Sequence, residues 1–322
     1  MIAGAMILLM VGACRRHAPK DVVTVQLGWY HQAQFAGFYA ADQLGYYAEE
    51  NIAVTLRPRP SPTVDTLASV LDGSADIGLQ SGFATISARA AGQPIIAIAA
   101  IQRRFPKVFM TLATSGITRP HDFQGHTIRK LNPKGEAIVF RAMMAKLRLD
   151  PAGVREIETG YDLAPFYAGQ VDIWPAFLTN EVVLARRQGH LVNIILPYDY
   201  GINSYDDVIV TTDNLLRTKP ELLTRFLGAT MRGWRWAIEH PQDAGELTLK
   251  YDPRLDPQQQ AAMVDASMPL VHVGEDHIGW MREETWQHTY EMLRQQHLLE
   301  TPLDVQTVYT MEILQRVYAP AP

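Results

Sequence analysis

The 322-residue chain is 47% apolar and 20% charged, with a formal net charge of −5. That length leaves room for about two domains of roughly 100–200 residues each, and the composition excludes disordered, collagen-like and multi-span membrane chains. The mild acidity argues against a phosphate-binding surface, so no nucleic-acid partner is expected; one cysteine excludes an internal disulfide, a cysteine zinc site and an iron–sulfur cluster.

Residues 1–13 read MIAGAMILLMVGA, uncharged and apolar throughout. A bilayer-spanning helix needs about 20 apolar residues, so this run is too short to span; it has the length of the apolar core of a secretory signal. Val11-Gly12-Ala13-Cys14 resembles a bacterial lipobox: a branched residue, two small ones that let a peptidase approach the backbone, then the thiol that is acylated. No Lys or Arg precedes the run, which departs from the usual signal. The expectation is a signal over 1–13, lipidation (palmitate) of Cys14, a tether over 14–21, and an extracytoplasmic body attached to the cell membrane by that lipid anchor.

The body begins with a β-branched strand at 22–27, followed by helical spacing over 35–50. A strand at 52–56, a Pro-rich loop, a helix at 63–71, a strand at 75–79, a helix at 83–91 and an apolar strand at 94–101 complete the first unit. The alternation restarts with a strand at 126–131, a helix at 135–149, strands at 155–159 and 171–174 separated by a short helix at 162–168, a helix at 179–188 and a strand at 192–196. Strands alternating with helices predict parallel sheets with crossover helices on their faces. One phrase occurs twice, Leu71-Asp72-Gly73-Ser74-Ala75-Asp76-Ile77 and Tyr167-Ala168-Gly169-Gln170-Val171-Asp172-Ile173, each a helix end capped by Gly and followed by a strand. Two α/β lobes of one plan account for it. From Leu215 the pattern is helical, at 220–236, 257–267, 283–296 and 305–317, which predicts a tail packed back on the first lobe. The lobes are expected to be 22–113 plus 213–322 and 114–212. Hinge crossings are expected near 112–118 and 208–212, allowing closure around a ligand.

No dinucleotide, P-loop, zincin or nucleophile-elbow motif is present. Gln80-Ser81-Gly82 follows a strand but lacks flanking glycines, so Ser81 reads as a hydrogen-bonding serine. His272, Glu275, Asp276, His277 and His288 lie in a polar stretch that reads as solvated surface rather than a metal site. With no assembled nucleophile, base and orienter, binding is favoured over catalysis, and no metal or cofactor is expected.

In open α/β sheets ligands sit beyond the carboxyl ends of strands. Those loops carry Trp29, Tyr30, Gln32 and Phe35, then Ser81, then Tyr161, Asp162, Trp174, Phe177, Asn180, Glu181, Tyr198 and Tyr205. About half of such aromatics are expected to be simple packing. An anion would want an arginine fork in these loops, and none is there. A flat neutral heteroaromatic wants ring faces with amide, hydroxyl and carboxylate partners, which is what they hold.

Trp29 through Tyr47 (WYHQAQFAGFYAADQLGYY), with Glu49-Glu50, resembles the opening of substrate-binding proteins of the thiamine-pyrimidine and riboflavin importer group, the NMT1/THI5-like family. Asp76-Ile77-Gly78, Asp122-Phe123-Gln124-Gly125, Ala168-Gly169-Gln170-Val171-Asp172, Thr179-Asn180-Glu181, Asp199-Tyr200-Gly201 and Arg232-Gly233-Trp234 add to the match. The resemblance implies an α/β type II periplasmic-binding-protein fold with two Rossmann-like lobes joined by a two-strand hinge. It also implies a monomeric receptor that hands its ligand to an ABC permease and its ATPase. Fungal pyrimidine synthases share the fold but use a histidine and a cysteine-rich loop, which this chain lacks. The Gln32-Ala33-Gln34-Phe35-Ala36-Gly37 variant looks more like the riboflavin branch than the pyrimidine branch, where an Asn-rich loop is commoner. The expected ligand is therefore riboflavin or a close flavin precursor. The alternatives are a formylaminopyrimidine receptor and a pyrimidine-biosynthesis enzyme; a receptor for alkanesulfonates or nitrate is disfavoured by the missing basic clamp.

Overall fold

The computed structural model describes residues 19–61, 64–133, 135–272 and 276–320; the expected signal, Cys14 and Glu275 lie outside the described residues. Among the described residues, ten strands form two five-stranded sheets. In the first, β1 (Asp21–Gln26), β2 (Ile52–Arg57) and β3 (Ile77–Gln80) run parallel, joined by β4 (Ile95–Gln102). In the second, β6 (Thr127–Arg129), β7 (Arg155–Ile157) and β8 (Ile173–Phe177) run parallel, joined by β9 (Val192–Ile195). Each sheet also holds one antiparallel strand: β10 (Asp206–Thr212) between β3 and β4, and β5 (Lys107–Leu112) between β8 and β9. The orders β2-β1-β3-β10-β4 and β7-β6-β8-β5-β9 are the same plan.

The repeated phrase occupies equivalent places in that plan. Asp76 accepts the Thr24 backbone N–H at 2.8 Å, and Asp172 accepts the Thr127 backbone N–H at 2.8 Å. In both lobes a carboxylate at the start of the third strand therefore satisfies a donor on the first, fixing their register. Gly73 and Gly169 precede these strands at φ +77° and +68°, a left-handed conformation that side chains resist.

The expected hinge stretches are not the crossings. Residues 208–212 lie inside β10, and Leu112 closes β5 in the second sheet. The chain passes between sheets at 103–106 and again at 196–205, so the division falls after β4 and before β10. The two antiparallel strands are β-branched, apolar and buried like any central strand. What marks them as crossing strands is pairing partners far away in sequence, which periodicity cannot reveal.

The tail encloses the first lobe. The helix Pro220–Glu239 opens on a proline at its first turn and buries Leu222, Leu223, Phe226, Leu227, Met231 and Trp234. It crosses the helix Ala36–Gln43, where a side chain at Gly37 would collide with Trp234 and one at Gly233 with the Gly37 carbonyl. Two of the family-like motifs thus carry glycine because two backbones touch. The helix Glu283–Gln295 packs on the helix Gly82–Ala90 and reaches the helix Glu136–Lys146 of the second lobe. Among the described residues no helix is long and apolar enough to cross a membrane.

Candidate ligand cleft

The parallel strands of both sheets point their carboxyl ends at the gap between the lobes, and the two antiparallel strands begin there. The β1 strand ends in the loop carrying Trp29, and β6 ends at Arg129. The Trp29 ring meets Tyr161 of the opposite lobe edge-on, with centroids 6.0 Å apart, and Tyr30 lies 5.2 Å from Trp29. The Arg59 guanidinium sits 5.9 Å from the Trp29 ring.

Beneath this aromatic contact lies a charged cluster. The Arg129 guanidinium stands 5.2 Å from the Tyr161 ring and 5.3 Å from the Trp174 ring. Its Nη2 donates to Glu136 at 2.7 Å and Nη1 donates to the Lys130 carbonyl at 3.0 Å. Its buried Nε has no hydrogen-bond partner among the described residues. Lys107, the first residue of β5, donates to the other Glu136 oxygen at 3.1 Å and lies 4.0 Å over the Phe177 ring. Burial pushes the Glu136 carboxyl up, but Lys107 and Arg129 outweigh it and hold it below the usual glutamate range. One anion thus serves two cations.

Two more carboxyls sit where β10 begins. Burial pushes Asp206 up to about 6 against the pull of Lys107. Asp207 is raised further, by burial and by Asp206 beside it. Asp207 holds φ +46°, a strained conformation of the kind that clusters at functional sites, and accepts the Gln34 amide at 2.8 and 3.1 Å. Gln34 in turn accepts from Gln32 at 2.8 Å, which returns the polar path to the Trp29 loop. Burial also raises Glu181, which accepts the Phe177 backbone N–H at 2.8 Å.

Of the residues expected from sequence, the structure brings Trp29, Tyr30, Gln32, Tyr161, Phe177 and Glu181 to this set of contacts. Asn180 joins at its edge, where its carbonyl accepts the Gln259 amide across the lobes. Ser81 lies beside the second crossing with its hydroxyl committed to capping the helix Gly82–Ala90. One Asp162 carboxylate oxygen likewise accepts the Ala164 N–H. Three expectations are corrected. Phe35 is fully buried in the first lobe's core, and Tyr205 is buried against Trp286 with its hydroxyl accepting the Arg282 N–H. Tyr198 faces a separate 420 Å³ cavity beside Glu284 and His288, with Arg104 4.9 Å from its ring. Trp174 is 1% exposed and packs against Phe166, so its role is to support Arg129. The expectation of a cleft without a basic clamp is corrected too: Lys107 and Arg129 are there, supplied by strand ends rather than loops, and they share the single carboxylate of Glu136. The polar stretch beyond the cleft is engaged elsewhere, Asp276 with Arg103 and Arg282, His277 stacked on Tyr318.

Twin lobes, two crossings and a site between them define a two-lobed type II periplasmic-binding-protein fold. The structure is similar to the periplasmic aliphatic sulphonate binding protein SsuA of Escherichia coli, with TM-score 0.70 and 16% identity over 94% of this chain and 93% of that one. The family model described as NMT1/THI5 like matches residues 32–244, and the chain belongs to that family. It is 26% identical to the riboflavin-binding protein RibY of Chloroflexus aurantiacus, over 97% of this chain and 96% of that protein. It is 24% identical to the formylaminopyrimidine-binding protein of Halalkalibacterium halodurans, over 94% and 95%.

Proposed function

We propose that this chain is the receptor of an ABC importer, capturing riboflavin or a close flavin precursor outside the cytoplasm and releasing it unchanged to the permease. The observation that carries the reading is the Trp29–Tyr161 contact between lobes, set above two cations that are both engaged by Glu136. Ring faces from both lobes are what a flat heteroaromatic needs, each worth roughly 0.5–1.5 kcal/mol beyond area burial. The Arg129 Nε donor suits a neutral ring carbonyl, which an isoalloxazine carries. Micromolar affinity needs only about −8 kcal/mol, within reach of two ring contacts and several hydrogen bonds. The names of the two relatives, one a riboflavin and one a pyrimidine binder, support the same ligand class.

The lipid anchor on Cys14 belongs to this reading and places the receptor at the outer face of the membrane. A formylaminopyrimidine ligand is the second reading, favoured by the buried carboxyls Asp206, Asp207 and Glu181, which suit amino N–H donors. Titration of the purified protein with riboflavin and with formylaminopyrimidine, read by tryptophan fluorescence, separates them. Saturable quenching by riboflavin is the expected result. A response to the pyrimidine alone transfers the assignment, and conversion of either compound would make the protein an enzyme.

A further inference from the structure

Beside the cleft, the Trp29 loop also walls a cavity of about 610 Å³ whose far side is the segment Tyr251, Asp252 and Arg254. His31 and Gln32 line it from the near side, so it continues outward from Trp29. Asp252 lies at its border with both carboxylate oxygens engaged by Arg254, from Nε and Nη2 at 2.8 Å each. The Arg254 hydrogen bonds hold the Asp252 carboxyl down at about 2, so it is an anion at any physiological pH. The Arg254 guanidinium is therefore already paired, while the Asp252 oxygens keep spare lone pairs at the border of the space. The opposite wall supplies a donor. Burial pushes Tyr39 far up and His31 down, so the hydroxyl keeps its proton and the imidazole is neutral near pH 7. Tyr39 and His31 Nδ1 share a hydrogen bond at 3.0 Å, and in the tautomer where the hydroxyl donates the ring carries its own proton on Nε2. Tyr251, stacked on Tyr39 with centroids 4.2 Å apart, gives the cavity an aromatic side.

We propose that this cavity is a polyol subsite, taking the uncharged hydroxylated chain of a ligand whose ring lies against Trp29 in the cleft. Hydroxyls can donate to Asp252 and accept from His31, whereas a phosphate dianion can accept but has no proton to give Asp252. The inference rests on the flavin reading above and deepens it: the ligand is selected for a ribityl-type chain and against a phosphorylated one.

The test compares riboflavin, lumiflavin (the same ring without the ribityl chain) and flavin mononucleotide, titrated into the full-length protein and into Asp252→Ala. One or two lost hydrogen bonds correspond to about tenfold. Riboflavin is expected to bind at least that much more tightly than either analogue. In Asp252→Ala, riboflavin weakens about tenfold, lumiflavin is unchanged, and the penalty on the mononucleotide shrinks. Lumiflavin matching riboflavin, the mononucleotide binding best, or equal weakening of both ring compounds by Asp252→Ala would overturn the subsite while leaving the ring reading intact. No binding by riboflavin and lumiflavin alike removes the ring reading, and the subsite with it.

Discussion

Glu136→Gln is the most informative single change, because one carboxylate holds two cations in a nearly closed environment. Arg129 and Glu136 are 5% exposed each, and Gln cannot neutralise either partner. Removing one partner of a buried pair costs about 3–5 kcal/mol, since the remaining charge stays desolvated. Taking about 3 kcal/mol and a urea m-value near 3 kcal/mol/M, the unfolding midpoint falls by about 1 M. The pH dependence follows from the depressed carboxyl. Its stabilisation is present above the ordinary glutamate value of 4.5 and is lost as pH falls through the lower folded value, so Glu136→Gln should flatten the acid limb there. The functional consequence is sharper. With Lys107 and Arg129 released, the cleft gains a basic clamp, so affinity for a short alkanesulfonate should rise at least about tenfold while riboflavin affinity falls. Isothermal titration at pH 7 with both ligands reads this directly. A wild-type protein that already binds the sulfonate tightly, or a variant with unchanged stability and selectivity, would refute the argument that Glu136 keeps the cleft closed to anions.

Trp29→Ala should weaken riboflavin binding by more than about tenfold, the sum of lost ring contact and lost area, with the far-ultraviolet circular dichroism unchanged. Arg187 of the second lobe reaches Asp256, Gln259 and Gln258 at 3.1, 2.9 and 3.1 Å on the tail that packs on the first. Arg187→Ala therefore loosens the closed form by about 1 kcal/mol, expected as roughly fivefold faster ligand release in stopped flow with little change in association. The raised Asp206 carboxyl works opposite to Glu136. The folded state holds its proton longer, so stability declines as pH rises from the ordinary value of 3.8 to about 6. Asp206→Asn should reduce that slope in denaturation curves taken across the same range, leaving the share of the raised Asp207 and Glu181, and an undiminished slope would assign it to those groups alone.

The elements legible in the sequence were those whose information is local. The parallel strands β1 and β2 and the capped helices follow from periodicity, and the repeated phrase around Asp76 and Asp172 announced twin lobes before any pairing was known. The crossing strands β5 and β10 were not legible as such, because a hinge is defined by which sheet a strand joins. The site divides in the same way. Trp29 and Tyr161 sit in loops after strands and Glu181 opens the helix that follows β8, so all three could be named from position alone. Lys107, Arg129 and Glu136 come from a strand start, a strand end and a helix start in one lobe, and only folding brings them within hydrogen-bond reach. Phe35 and Tyr205 show the converse: aromatics adjacent to a site loop whose rings turn inward, since their burial stabilises the lobe more than exposure at the cleft would. A usable signal was present at Asp206-Asp207, paired carboxylates opening an apolar strand, where buried charge is costly unless it has a task.

The central claim, that an uncharged flat ring is gripped between Trp29 and Tyr161 and released unaltered, is tested most directly by one equilibrium experiment. Purified protein is dialysed against riboflavin, its tryptophan emission followed, and the ligand then recovered by denaturation and identified by mass. The account predicts saturation at one riboflavin per chain, at micromolar concentration or below, a quenching midpoint that Trp29→Ala raises more than about tenfold, and recovery of intact riboflavin. An anion recovered in its place, a chemically changed product, or a midpoint unchanged without Trp29 would contradict it.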